Sequence, residues 1–192
     1  MPRRLPGWIL APALAVLLAG CGRRADDPAL LGLAGVLAPG DRVVLLRVLG
    51  GGEGVDPAER IAAAVRPAGH REELRIYEKR GKEYTLVHTT QQGDLFRNLT
   101  LEDVTADGRP ELLATWEGGQ LEILQVITRE EGGTYRTIFQ NAGQEIEKRF
   151  GPGGSVEFWI TGRTYEEGPG QPAIYASTVY RWDGKAFTEV RR

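Results

Sequence analysis

Ser177-Thr-Val-Tyr-Arg-Trp182, Asp183-Gly184 and Lys185-Ala-Phe-Thr-Glu-Val190 decide the fold. Asp-Gly is a pair that accepts the positive φ angles of a tight hairpin turn, and both flanks carry β-branched and aromatic residues. The stretch therefore predicts two antiparallel strands. Two earlier stretches repeat it: Leu74–Lys79 and Glu83–Thr89 flank Arg80-Gly81-Lys82, and Leu121–Thr128 and Thr134–Gln140 flank Arg129-Glu-Glu-Gly-Gly133. The second strand of each hairpin opens near an aromatic ring, Tyr84, Tyr135 and Phe187, at spacings of 51 and 52 residues. A β unit of that length is about the size of a propeller blade.

Working outward, Glu111–Trp116 and Ser155–Thr161 predict further strands. In the latter, Val156, Phe158 and Ile160 share one face, while Glu157, Trp159 and Thr161 share the other. Asp41–Leu49 also reads as a strand, and Pro28–Ala38 as either a helix or a buried strand. Asp56-Pro57-Ala58-Glu59 supplies an N-cap, a proline at the first helical position and a capping-box Glu, predicting a short helix across Ile61–Val65 that ends before Pro67. The expected fold class is α+β, mostly antiparallel. One or two short helices within an α/β part, 28–71, precede repeated hairpins, 72–192, in a twisted sheet or partial barrel. Two full repeats and a fragment are too few to close a propeller.

Asp103-Val-Thr-Ala-Asp107-Gly108-Arg-Pro-Glu111-Leu-Leu113 resembles the calcium loop of FG-GAP and VCBS-type propeller repeats, Asp-x-Asp/Asn-x-Asp-Gly-x-x-Asp before a strand. The resemblance implies Asp103, Asp107 and Glu111 as ligands of one Ca²⁺, with Thr105 in place of the usual third-position carboxylate. Calcium takes six to eight hard oxygens, so backbone carbonyls would have to complete such a site. The alternative is that Asp103 and Asp107 form Asx turns around an ordinary Asp-Gly pair. The corresponding point of the later unit, Phe150-Gly-Pro-Gly-Gly154, has no carboxylate.

The N-terminus gives an address. Arg3 and Arg4 precede Leu5–Gly22, which carries no charge, and the apolar run closes on Leu18-Ala19-Gly20-Cys21. This resembles the bacterial lipobox, which implies cleavage between Gly20 and Cys21 and acyl chains, palmitate among them, on Cys21. A helix from Trp8 to Gly20 would run roughly 20 Å, short of a hydrocarbon core of about 30 Å, which argues against a membrane span. Cys21 is the only cysteine. Its lipidation would leave no disulfide or Cys–metal site. The expected organisation is a signal peptide 1–21, a tether 22–27 and one envelope domain 28–192, lipid-anchored and facing outside the cytoplasm.

Losing Arg3 and Arg4 leaves 22 basic side chains against 26 acidic ones, so nothing suggests nucleic acid as a partner. Gly50-Gly-Gly-Glu-Gly54 between a predicted strand and helix has the position of a phosphate loop, but neither its spacing nor a Lys-Ser/Thr pair, so no nucleotide is expected. His70 and His88 stand without a Ser or Asp motif nearby, and His88 is expected on a solvated strand face. Glu130-Glu131 and Glu166-Glu167 read as solvated turn charges. If Trp159 and Tyr175 share an outward face they form a platform for a glycan or peptide; the alternative is a second packed layer. The sequence therefore predicts a non-enzymatic envelope module that binds a protein or polymer partner. A calcium-stabilised adhesion-like or glycan-binding module is the alternative, and an extracytoplasmic hydrolase ranks below both.

Overall fold

The computed structural model describes residues 32–49, 60–151, 154–165 and 173–190. Cys21, the expected tether 22–27, residues 50–59 and the pair Glu166-Glu167 lie outside these residues. Twelve strands among them build three four-stranded antiparallel sheets, each a meander of consecutive strands. The first contains β1 (Arg42–Leu49), β2 (Arg60–Arg66), β3 (Glu73–Arg80) and β4 (Glu83–Thr90). The second contains β5 (Leu95–Glu102), β6 (Glu111–Gly118), β7 (Leu121–Arg129) and β8 (Tyr135–Gly143). The third contains β9 (Glu145–Phe150), β10 (Val156–Tyr165), β11 (Ala173–Trp182) and β12 (Phe187–Glu189).

The three hairpins expected from sequence are the third and fourth strands of each sheet. Tyr84, Tyr135 and Phe187 occupy one structural position: each pairs with the last or next-to-last residue before the turn, Lys79, Arg129 and Trp182 respectively, and each is buried. There are thus three units rather than two and a fragment, because the N-terminal part supplies the first half of the first sheet. They do not merge into one twisted sheet or partial barrel; they remain three separate sheets. The last turn is longer than the Asp-Gly pair suggests. Trp182 pairs with Phe187, so four residues connect the strands, and the Asp183 carboxylate accepts the Lys185 and Ala186 N–H groups at 2.8 and 2.9 Å.

The helix expected across Ile61–Val65 is strand β2, between β1 and β3. Ile61, Ala63 and Val65 face one side of the sheet, Ala62 and Ala64 the other, and all five are fully buried. Alanine favours a helix in isolation. Here its small side chain lets layers close onto both faces, and burial overrides local preference. Residues 32–38 make one short turn, with the Leu37 N–H donating to the Leu33 carbonyl, and no longer helix.

The layers stack in chain order. Leu33 and Leu37 cover the outer face of the first sheet against Val43, Ile61, Tyr77 and Tyr84. Gly32 makes this possible, since a Cβ there would stand 2.5 Å from the Tyr84 ring. The opposite face packs Leu74 and Ile76 on Phe96, Leu99, Trp116 and Ile127 of the second sheet. The second sheet's far face packs Leu113, Val126 and Phe139 on Val156, Phe158, Ile160 and Phe187 of the third. The alternation expected of Val156, Phe158 and Ile160 is therefore observed. The third sheet's other face has no layer over it among the described residues.

Candidate functional site

One cross-strand row locates the site. Leu49 of β1 pairs with Arg60 of β2, and Arg60 pairs with Glu78 of β3. Arg129, at the end of β7, reaches across to Glu78 with Nε and a terminal nitrogen at 3.1 and 3.0 Å. This ion pair ties the second sheet to the first at the end where β1, β5 and β7 finish and β2, β6 and β8 begin. Between the sheets at that end opens a cleft of about 700 Å³, within the range of small-molecule sites. Its floor is Leu49, Leu101, Leu112, Ile127 and Tyr135, and its rim carries Arg60, Arg109, Pro110, Arg129, Glu130 and Glu131.

Polar groups at the rim are largely committed to one another. Arg109 bonds Asp107, Arg129 bonds Glu78 and Arg136 bonds Glu130. Tyr135 is committed likewise. Burial pushes its phenol above the ordinary value, while the Arg60 charge and a side-chain hydrogen bond with Arg60 oppose that rise.

The loop Asp103–Pro110 forms part of the same end and carries the residues singled out as calcium ligands. Asp103 accepts the Asp107 and Gly108 N–H groups at 3.2 and 2.9 Å. Asp107 accepts the Arg109 N–H at 2.8 Å; slight desolvation opposes its ionisation, but Arg109 outweighs this and holds the carboxyl below the ordinary range. Glu111 turns inward and is buried, accepting the Val104 N–H at 3.0 Å and facing the Thr105 and Thr128 hydroxyls at 3.4 Å. Burial pushes its carboxyl up; the Val104 N–H opposes this, while Asp107 and Asp103 add to it. The described residues contain no group of three His, Cys, Asp or Glu side chains placed to hold a metal ion. The loop is closed by its own N–H groups, with Ala106 and Gly108 at positive φ, and its carboxylates do not fit the ligand set that the pattern implies.

Trp159 and Tyr175 do share a face of the third sheet, since Tyr175 pairs with Arg163, two positions along the same face from Thr161 and four residues from Trp159. That places them about 13 Å apart along the strand, with the Thr161–Ser177 hydroxyl pair between. Tyr175 is 62% exposed, whereas the Trp159 ring lies under the Arg149 guanidinium at 4.0 Å and donates to Glu157 at 3.1 Å. The two rings are separate features rather than one platform.

His88 is not on a solvated face. It pairs with Ile76, lies 6.0 Å from the Tyr135 ring, and its Nε2 is buried without a described partner. Burial holds its pKa below the ordinary value. Glu130 and Glu131 are exposed in the turn between β7 and β8, as expected, and border the cleft.

No known family, curated protein or solved structure matches this chain. The functional reading therefore rests on its own residues. Sequence reasoning missed the cleft because its lining comes from six separate strand ends, and no local spacing encodes that convergence. The spacing of Tyr84, Tyr135 and Phe187 is the signal that reaches it, since it marks the equivalent strand openings, one of which supplies Tyr135.

Proposed function

We propose that this chain is a lipid-tethered bacterial envelope protein, facing outside the cytoplasm, that binds a ligand without chemical conversion in the cleft between its first two sheets. The observation that carries the binding reading is the cleft of about 700 Å³ itself, bordered by Leu101 and by the charged side chains of Arg60, Arg109, Arg129, Glu130 and Glu131. The tether reading rests on Arg3-Arg4, the uncharged run and Leu18-Ala19-Gly20-Cys21.

Two measurements test it. Cells expressing the full chain are fed a fatty-acid analogue and fractionated: wild type is expected to carry label in the membrane fraction, and Cys21→Ser to lose it. An unlabelled wild type, with Cys21→Ser still on the membrane, would sink the tether. For the cleft, binding of 1-anilinonaphthalene-8-sulfonate to the folded chain is expected to fall when Leu101, 39% exposed at the cleft, becomes Glu. It is expected to be unchanged when Leu86, 49% exposed on β4, becomes Glu. Equal losses from both would refute the cleft as the binding site.

A further inference from the structure

The third sheet leaves one strand partly unpaired. In the first two sheets the fourth strand covers nearly the whole third strand: β4 pairs with β3 from Leu74 to Arg80, and β8 with β7 from Glu122 to Arg129. β12 pairs only with Tyr180, Arg181 and Trp182 of the ten residues of β11. One residue further, the Val190 N–H donates to the Val179 carbonyl at 2.8 Å, so Val179 turns its backbone groups toward β12. These groups alternate in direction along a strand. Ser177, Tyr175 and Ala173 therefore turn theirs the same way, where no strand stands beside them among the described residues, and Thr178, Ala176 and Ile174 turn theirs to β10. The side chains here are open too: Tyr175 is 62% and Ile174 41% exposed, and Ala176 and Ser177 are exposed with them.

An open strand edge is a template for another strand, and folded proteins blunt such edges with charge. The edge strands of the three sheets do so, with Arg47 on β1, Glu83 on β4, Arg97 on β5, Arg136 on β8, Lys148 on β9 and Glu189 on β12. The open stretch of β11, Ala173-Ile-Tyr-Ala-Ser-Thr-Val179, has no charge, proline or glycine. We infer that it pairs with the same stretch of a second copy of this chain, antiparallel about a two-fold axis at Tyr175, so that two third sheets become one continuous sheet. A two-fold contact sets an edge against itself, and charges of one sign along it would repel. This edge has none, and a charged peptide would find no counter-charge on it. Its sizes also complement: Ile174 of one copy lies opposite Ala176 of the other, with the two Tyr175 residues meeting at the axis. The outward groups of Ala173, Tyr175 and Ser177 then exchange about six hydrogen bonds between the copies.

The test expresses the full chain in cells with the photo-cross-linker p-benzoylphenylalanine in place of Tyr175, beside a second copy carrying a different tag. Illumination is expected to give a product of two chains, and mass spectrometry to join position 175 of one copy to the tryptic peptide 164–181 of the other. The same cross-linker in place of Phe150, 74% exposed on β9 at the opposite edge of the sheet, is the control and is expected to give little of it. Ser177→Pro deletes one outward N–H in each copy, two hydrogen bonds in all, and is expected to lower the yield roughly tenfold. Ala176→Lys keeps every N–H and sets like charges on one face near the axis, and is expected to lower the yield as well. Circular dichroism of each purified variant shows which of the two is folded and can be counted. No two-chain product, an equal yield from position 150, or an undiminished yield in a folded variant overturns the inference. So does capture at position 175 of a different protein in place of this chain.

Discussion

The two seams between sheets are built from different material. Between the second and third sheets the contact is aromatic: Phe139 stacks on Phe158 at 5.3 Å, and Phe187 lies 5.1 and 5.0 Å from those rings, with Trp182 behind it at 5.3 Å. Between the first and second sheets small residues, Ala62, Ala64 and Ala114, alternate with larger ones, and polar groups are let in. Glu72 is buried and accepts the Phe96 N–H at 2.6 Å, while Gln125 donates to the Thr90 and Thr137 hydroxyls at 3.0 and 2.9 Å. His88 Nε2 and Trp116 Nε1, buried without a described partner, belong to residues of this seam. The lesson is a division of labour: the aromatic seam is held by rings, while the polar seam combines apolar packing with buried hydrogen bonding.

The comparison is most exposed at the centre of the aromatic seam. Phe158→Ala is expected to cost about 3–5 kcal/mol, read as a fall in the urea midpoint; a loss under about 1 kcal/mol would mean that the seam is loosely packed. In the polar seam, Glu72→Ala strands the buried Phe96 N–H and is expected to cost about 1–3 kcal/mol, with Glu72→Gln recovering most of it by keeping an acceptor. Asp103→Ala acts on the loop that touches both seams, through Val104 on one side and Arg109 on the other. It removes the acceptor of two N–H groups at an exposed turn and is expected to cost about 1 kcal/mol, equally with and without millimolar Ca²⁺. A loss seen only when calcium is present would restore the metal reading.

Tyr135→Phe deletes the hydroxyl that Arg60 hydrogen-bonds across the seam and is expected to cost about 1 kcal/mol, read as a fall in the urea midpoint, where unchanged stability would show that the two groups do not bond. The smallest effect is on pH. Because burial lowers the folded-state pKa of His88, the unfolded chain binds its proton first. The contribution is present above the ordinary histidine value and is lost as pH falls below about 6.5. His88→Leu is expected to flatten that part of a stability-versus-pH profile, and an unaltered slope would place the ring in water.

The hairpins were legible because period-two patterning and turn residues sit together at 74–89, 121–140 and 177–190. Other strands defeat that reading for stated reasons. In β2, five buried residues in a row erase alternation, and alanine mimics a helix. In β5 a register shift between Phe96 and Asn98 breaks the period, so Phe96 and Leu99, three apart, both point inward. β9, Glu-Ile-Glu-Lys-Arg-Phe, is an edge strand whose charges look like a solvated turn. Such charges are what an exposed edge carries to discourage pairing with other chains. Of the site, Asp103, Asp107 and Glu111 were legible as a pattern but not in orientation, since a pattern shared by a metal loop and an Asx turn does not say where the carboxylates point. The Tyr135 cleft depends on strands far apart in sequence meeting end to end.

Stacking in chain order also bears on how the molecule is made. Each meander completes its ladder from residues adjacent in sequence and then docks on the one formed just before it, so no strand waits for a partner from the far end of the chain. Folding can follow emergence, first sheet to third, with little loop-closure entropy at each step. The vulnerable interval falls after the second sheet forms and before the third arrives, when Leu113, Val126 and Phe139 stand uncovered. A chain truncated after residue 143 would be held permanently at that stage.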